Sequence, residues 1–169
     1  MFETASELQE LQRLLDTSFD KAKQRPLIYE ANQRLSARQL AGFGGAKLVA
    51  VASVNSTGQP RVAPRSAAFL HGKFYLASDA GSVTVRRLRR NPAAAITYFE
   101  DYLLLMGHGK VGFISKADAE FIVIRAEWEK AFNGGRDALQ GVDIFLRVDA
   151  TYLVAFAQDP QRYPASWGK

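Results

Sequence analysis

The chain has no cysteine among its 169 residues, so a disulfide framework is excluded and a reducing compartment fits. Histidine is almost as scarce. His71 and His108 are the only two, one in a turn and one in a glycine-broken run, and they make no recurring metal-ligand spacing, so no metal site is expected. There is no G-x-S-x-G elbow and no P-loop, and a Ser–His–Asp set could be assembled only by free choice among many serines. No apolar run reaches membrane-spanning length, and Glu3, Glu7, Glu10 and Asp16 among the first leucines are the wrong chemistry for a signal peptide. The expectation is a soluble cytoplasmic protein with no membrane contact. A chain this poor in catalytic equipment binds something or borrows its chemistry from a cofactor, and no catalytic acid or base is identified.

What is present is enough apolar content, 47% of residues, to bury a core. We read one domain over 1–169: an N-terminal helical segment to 45, a barrel with helices over 46–157, and a polar tail over 158–169. The formal charge is +5, and arginines cluster at 86, 87, 89 and 90. Such a cluster can meet an anionic cofactor, nucleic acid or water, and it also complements the negative end of a short helix.

The organising stretch runs from Ala46 to Pro92. Ala46–Val54 and Arg61–Leu70 read as strands joined by a turn at Asn55–Gly58, and His71-Gly72 turns tightly into a third strand, Lys73–Ser78. Ser82 then opens a short helix that ends before Asn91-Pro92, so unpaired backbone N–H groups stand at the exit of a strand, where a phosphate can be held. Pro64 places its strand at an edge or a bulge. Strict alternation puts Arg61, Ala63 and Arg65 on one face.

Upstream, Leu8, Leu11, Leu14, Leu15 and Phe19 recur at helical spacing. Gln24–Pro26 stops that helix, and Ser36–Ala41 begins a second. Downstream, Ala93–Phe99 and Tyr102–Ile114 are strands around a turn at Glu100-Asp101. The glycines at 107, 109 and 112 spell G-x-G-x-x-G without the strand–loop–helix context of a dinucleotide site, so they mark bends. A helix over 115–132, started by Ser115 with Asp118, buries a stripe of Ala117, Phe121, Ile124 and Trp128 and ends at Asn133–Gly135. Asp143–Asp149 and Thr151–Ala157 read as two last strands. Strand candidates joined mostly by short turns imply a small antiparallel barrel with helices outside.

Residues 50–60, 72–78 and 81–92, in this order and spacing, resemble the pyridoxamine 5′-phosphate oxidase-like superfamily of FMN-binding split barrels. The region 128–148 is similar to its general-stress branch. The resemblance implies a six-stranded antiparallel split β-barrel of Greek-key type, mainly β with flanking helices, forming a homodimer that holds FMN between subunits. It implies an oxidoreductase acting on a small molecule, with F420 or haem as alternative cofactors; a non-enzymatic stress-associated binder is the alternative role, and nucleic acid is not an expected partner. Carried over by position, Arg65 or Arg61 is the cation for the flavin phosphate, Ser82 a hydroxyl and helix-terminus donor, and Ser66 and Ala67 line the ring edge. Ser78, Val83 and Thr84 flank the phosphate turn. Thr84 stands where many members have lysine, leaving Arg87 or Arg86 to compensate. The substrate is not legible.

Overall fold

The structure is a computed structural model, described for residues 2–22, 30–132 and 139–163. Six strands close into an antiparallel barrel in the order β1-β2-β3-β6-β5-β4. They are β1 (Ala46–Val54), β2 (Pro60–Leu70), β3 (Lys73–Ser78), β4 (Ala93–Glu100), β5 (Leu103–Ser115) and β6 (Ile144–Ala157). Short turns join β1 to β2, β2 to β3 and β4 to β5 as expected. The link from β3 to β4 instead carries a helix and crosses to the far edge of β1, which β4 joins only over Ala50–Ala52 against Ala95–Thr97. That crossing makes the barrel a Greek key.

Alternation along the strands decides what fills it. Val49 and Val51 of β1, Ala67 and Phe69 of β2, Leu76 of β3, Ile96 of β4, Leu105 of β5 and Leu146 and Val148 of β6 point inward as one buried cluster. The opposite face of β2, β3, β5 and β6 carries Leu70, Tyr75, Ile114 and Phe145, covered by α4 (Ala119–Ala131) through Phe121, Ile124 and Trp128. Trp128 is core, as its spacing suggests. α1 (Ala5–Ala22) lies along β6, fastened where Leu153 N–H donates to the Ser18 hydroxyl at 2.9 Å. α2 (Ala37–Gly42) opens on a capping box of Ser36 with Gln39. Among the described residues, no helix is long and apolar enough to cross a membrane.

Three expectations need correction. The two last strands are one, because β6 runs unbroken against β5 except where the pairing slips between His108–Tyr152 and Gly109–Ala150, leaving Thr151 as a bulge. The turn after β4 sits one residue later, with Asp101 and Tyr102 both at positive φ. α4 begins at Ala119, since the Asp118 carboxylate holds the Ser115 amide at 2.7 Å across a preceding turn, and Ala117 lies outside the helix and exposed. Pro64 sits at an edge, one of the two positions expected of it, for over 60–66 β2 pairs with β1 alone and in unbroken register. The helix stops read at Gln24–Pro26 and Asn133–Gly135 lie outside the described residues.

Candidate functional site

β2 is paired on both sides only over Ala67 and Ala68; Phe69 and Leu70 pair with β3 alone, and from Pro60 to Ser66 its one neighbour is β1. The barrel is therefore split along the first half of β2. Pro64, which has no N–H to offer a further strand, lies in the opened edge. α3 (Val83–Arg90) stands at this opening with Val85 and Leu88 buried beneath it.

The start of α3 is pinned by its own turn. The Asp79 carboxylate accepts from Gly81 N–H at 2.7 Å, Asp143 accepts from Ala80 N–H at 2.6 Å, and the Ser82 hydroxyl accepts from Val85 N–H at 3.2 Å as the helix cap. Ser78 and Ser82 share a hydroxyl contact at 3.1 Å. Arg86 N–H returns to the Ser82 carbonyl, which leaves the Val83 and Thr84 amides as the open donors of the first turn. With the dipole of an eight-residue helix behind them, these amides favour an anion.

Arg65, half-buried on the face of β2 that deeper in carries Ala67 and Phe69, donates through Nη2 to the Thr84 hydroxyl. A guanidinium is thereby fixed beside the helix start. One step further along the groove, Arg87 Nη1 reaches the Ser53 hydroxyl at 3.4 Å, and Ser53 is the cross-strand partner of Arg61. The expected residues Arg65, Ser78, Ser82, Val83 and Thr84 thus come together, with Arg61 and Arg87 next to them. Two do not join this group by side chain: Ser66 points from the other face of β2, exposed, and Ala67 is fully buried in the barrel.

A second cavity, about 620 Å³, lies where α1, the His71-Gly72 turn, α4 and β6 meet. Sequence reading missed it, because residues from four separated segments build it. Each of its cations is paired with carboxylates. Arg147 binds Asp149 at 2.9 Å and Glu120 at 3.2 Å, Lys73 binds Asp149 at 3.3 Å, and the Tyr75 phenol is pushed up by burial and by Glu120. His71 is held between Glu7 at 3.1 Å and Glu127 at 2.7 Å; burial opposes its charge, but these bonds outweigh it and raise its pKa. An anion would find no uncommitted cation here. By contrast, none of Arg61, Arg65, Arg86, Arg87, Arg89 and Arg90 has a carboxylate partner among the described residues.

A family model described as pyridoxamine 5′-phosphate oxidase matches residues 35–148. The chain belongs to the pyridoxamine 5′-phosphate oxidase family. No curated protein matches it. Three solved structures carry the family fold at low identity. A conserved hypothetical protein of Mycobacterium tuberculosis aligns at 17% identity and a TM-score of 0.63, over 82% of this chain and 94% of that one. A FAD-binding protein of Mesorhizobium loti aligns at 17% identity and 0.54, over 64% and 83%. An F420 reductase aligns at 17% identity and 0.51, over 76% and 98%. Within this family fold, the split beside β2 and the start of α3 bring together a helix dipole, open amides and guanidinium groups that have no carboxylate partner among the described residues.

Proposed function

We propose that this protein is a flavin-binding oxidoreductase of the pyridoxamine 5′-phosphate oxidase-like type, with the cofactor held at a homodimer interface and a small molecule as substrate. The observation that carries the reading is the Arg65–Thr84 contact, which sets a guanidinium against the open end of α3 at the split in the barrel. A phosphate there would meet the Val83 and Thr84 amides from one side and Arg65 from the other, all charge-assisted bonds of the stronger class. The Ser82 hydroxyl serves as the helix cap, so it supports that turn first and a ligand second. When bound, a flavin supplies hydride transfer, and the chain's own residues fix its phosphate and exclude water.

The homodimer reading has its own support. The outward face of β1, β2, β4 and β5 exposes Leu48, Val62, Phe99 and Met106, with exposures of 69%, 69%, 76% and 39%. They share one face, since Ala52 pairs with Val62 and Thr97 with Met106. An apolar patch of this kind marks a contact surface. The alternative role is a cofactor-binding protein without turnover.

The absorbance spectrum of the freshly purified protein, followed by titration with FMN, tests the main reading. Flavin bands, or saturable FMN binding that is lost in Arg65→Ala, are expected. No binding of any flavin or deazaflavin would end it. Reduction of the bound flavin by NADPH separates the enzyme from the binder.

A further inference from the structure

The α3 site holds more positive charge than one phosphate uses. A cavity of about 610 Å³ lies between α3 and the β1–β2 turn, reaching the helix start at Val83 and lined by Arg86, Arg87, Arg90, Asn55, Ser56 and Asn91. It contains three arginines and no carboxylate. Arg86 and Arg90 are exposed; Arg86 holds the Gly81 carbonyl, and Arg87 is half-buried against Ser53. Arg89, one residue before Arg90, points elsewhere, its guanidinium lying 5.3 Å over the Phe113 ring. The positive residues of this helix are thus sorted, with Arg86, Arg87 and Arg90 along one wall and Arg89 apart.

Three like charges lining one concavity repel each other and cost stability unless an anion occupies it. A phosphate seated between Arg65 and the Thr84 amide engages the start of α3 and leaves Arg86 and Arg90 beyond it. Those two stand one helical turn apart on one face, which suits anionic groups spaced along a chain. Asn55 spends its amide on its own turn, accepting from the Thr57 and Gln59 N–H groups and donating to Gln59 Oε1, and Asn91 Oδ1 accepts from Ala93 N–H, so the Asn91 side-chain N–H groups are the neutral donors left on this wall.

We propose that the ligand of this site is a flat redox cofactor whose tail carries a second anionic group beyond the first phosphate, seated in the groove of Arg86, Arg87 and Arg90. This rests on the reading of the α3 start as the phosphate site and narrows it to long-tailed cofactors over FMN. Two sources have that chemistry: the diphosphate of FAD, and the carboxylate-bearing tail of F420.

The test is equilibrium binding of FMN, FAD and F420 to the full chain at fixed ionic strength, with Arg90→Gln, Arg86→Gln and the control Arg89→Gln checked for unchanged melting temperature. At least one long-tailed cofactor is expected to bind about tenfold tighter than FMN, as one more bond to a charged group would give. Arg90→Gln removes that advantage, leaves FMN within about twofold, and Arg89→Gln changes neither. If FAD gains and F420 does not, the second anion is a phosphate; the reverse outcome makes it a carboxylate. FMN binding as tightly as both long-tailed ligands overturns the groove proposal while leaving the phosphate site standing. An equal loss in Arg89→Gln and Arg90→Gln overturns it too, since that is diffuse charge. No binding of any of the three overturns both.

Discussion

Arg65 on β2 donates from Nη2 to the hydroxyl of Thr84 in the first turn of α3, so a strand cation and a helix-start hydroxyl touch each other. Thr84 therefore has a positioning role. It orients the charge that is there, and the guanidinium stays beside the open amides of the helix start without any ligand.

Thr84→Lys tests that arrangement. The substitution removes the acceptor for Arg65 and sets two cations side by side, so the ligand-free protein should melt a few degrees lower, about 2–4 °C per kcal/mol for a chain of this size. An anion between the two cations relieves the repulsion and adds a charge-assisted bond. FMN affinity should rise about tenfold, and the FMN-induced rise in melting temperature should exceed that of the parent. Fluorescence titration and thermal melts with and without FMN measure both. Weaker FMN binding in Thr84→Lys would mean that the phosphate sits elsewhere.

His71 supplies a pH dependence unrelated to the cofactor. Both ring nitrogens face carboxylates, Glu7 of α1 and Glu127 of α4, while Glu3 accepts from the neighbouring Gly72 amide and Lys73 pairs with Asp149. Because the folded state raises the His71 pKa above its ordinary 6.5, the stabilisation is complete below that value and is lost as pH climbs through the raised one. For Glu7, burial works against ionisation, yet its bonds from Thr4 and His71 win and lower its pKa; its share is present above 4.5 and lost at more acid pH. His71→Asn keeps a side chain that tolerates the positive φ of 51° at this turn. The variant should melt no more than about 4 °C below the parent near pH 6, as partly exposed pairs are worth ~0.2–1 kcal/mol. The gap should close on the alkaline side. A gap independent of pH would show that the imidazolium contributes nothing.

Gly109 marks where β5 meets the β6 bulge. A Cβ there would lie 2.1 Å from the Asp149 carbonyl oxygen and 2.8 Å from the Ala150 Cα, both backbone atoms that cannot turn aside. Gly109→Ala should cost at least about 3 kcal/mol and lower the melting temperature by ~6–12 °C. Gly112→Ala meets only the side chains of Asp149 and Arg147, at 3.2 and 3.4 Å, and should cost about 1 kcal/mol or less. Equal melting temperatures for the two variants would refute the bulge geometry.

These glycines also show where the sequence was legible. Alternation and turn chemistry located the strands, and of the three glycines read as bends Gly109 falls on the one irregularity in the β5–β6 pairing. The partner that demands the bend, the extra residue Thr151, could not be seen, because a bulge looks like a strand break when read along one chain. The start of α3 was readable from Ser82 and Asn91-Pro92. The Arg65–Thr84 contact was not, for it depends on the split that lets β2 run past β3 and meet a helix nineteen residues on. The second cavity was hidden for the same reason: it belongs to no segment.

The exposed face of the barrel gives the last prediction. Leu48 and Val62 point away from the core, opposite Ser66 and Ala52, so a charge at either position disturbs no internal packing. If two copies meet on this face, Val62→Lys sets two like charges into one apolar contact, since a twofold interface repeats every substitution across its axis. Light scattering should then show the parent as a dimer and Val62→Lys as a monomer with a nearly unchanged melting curve. Bound flavin should be lost with the dimer, because a cofactor seated between subunits loses half its contacts. A parent that is monomeric while binding FMN, or a Val62→Lys monomer that binds it equally well, would place the whole site within one chain.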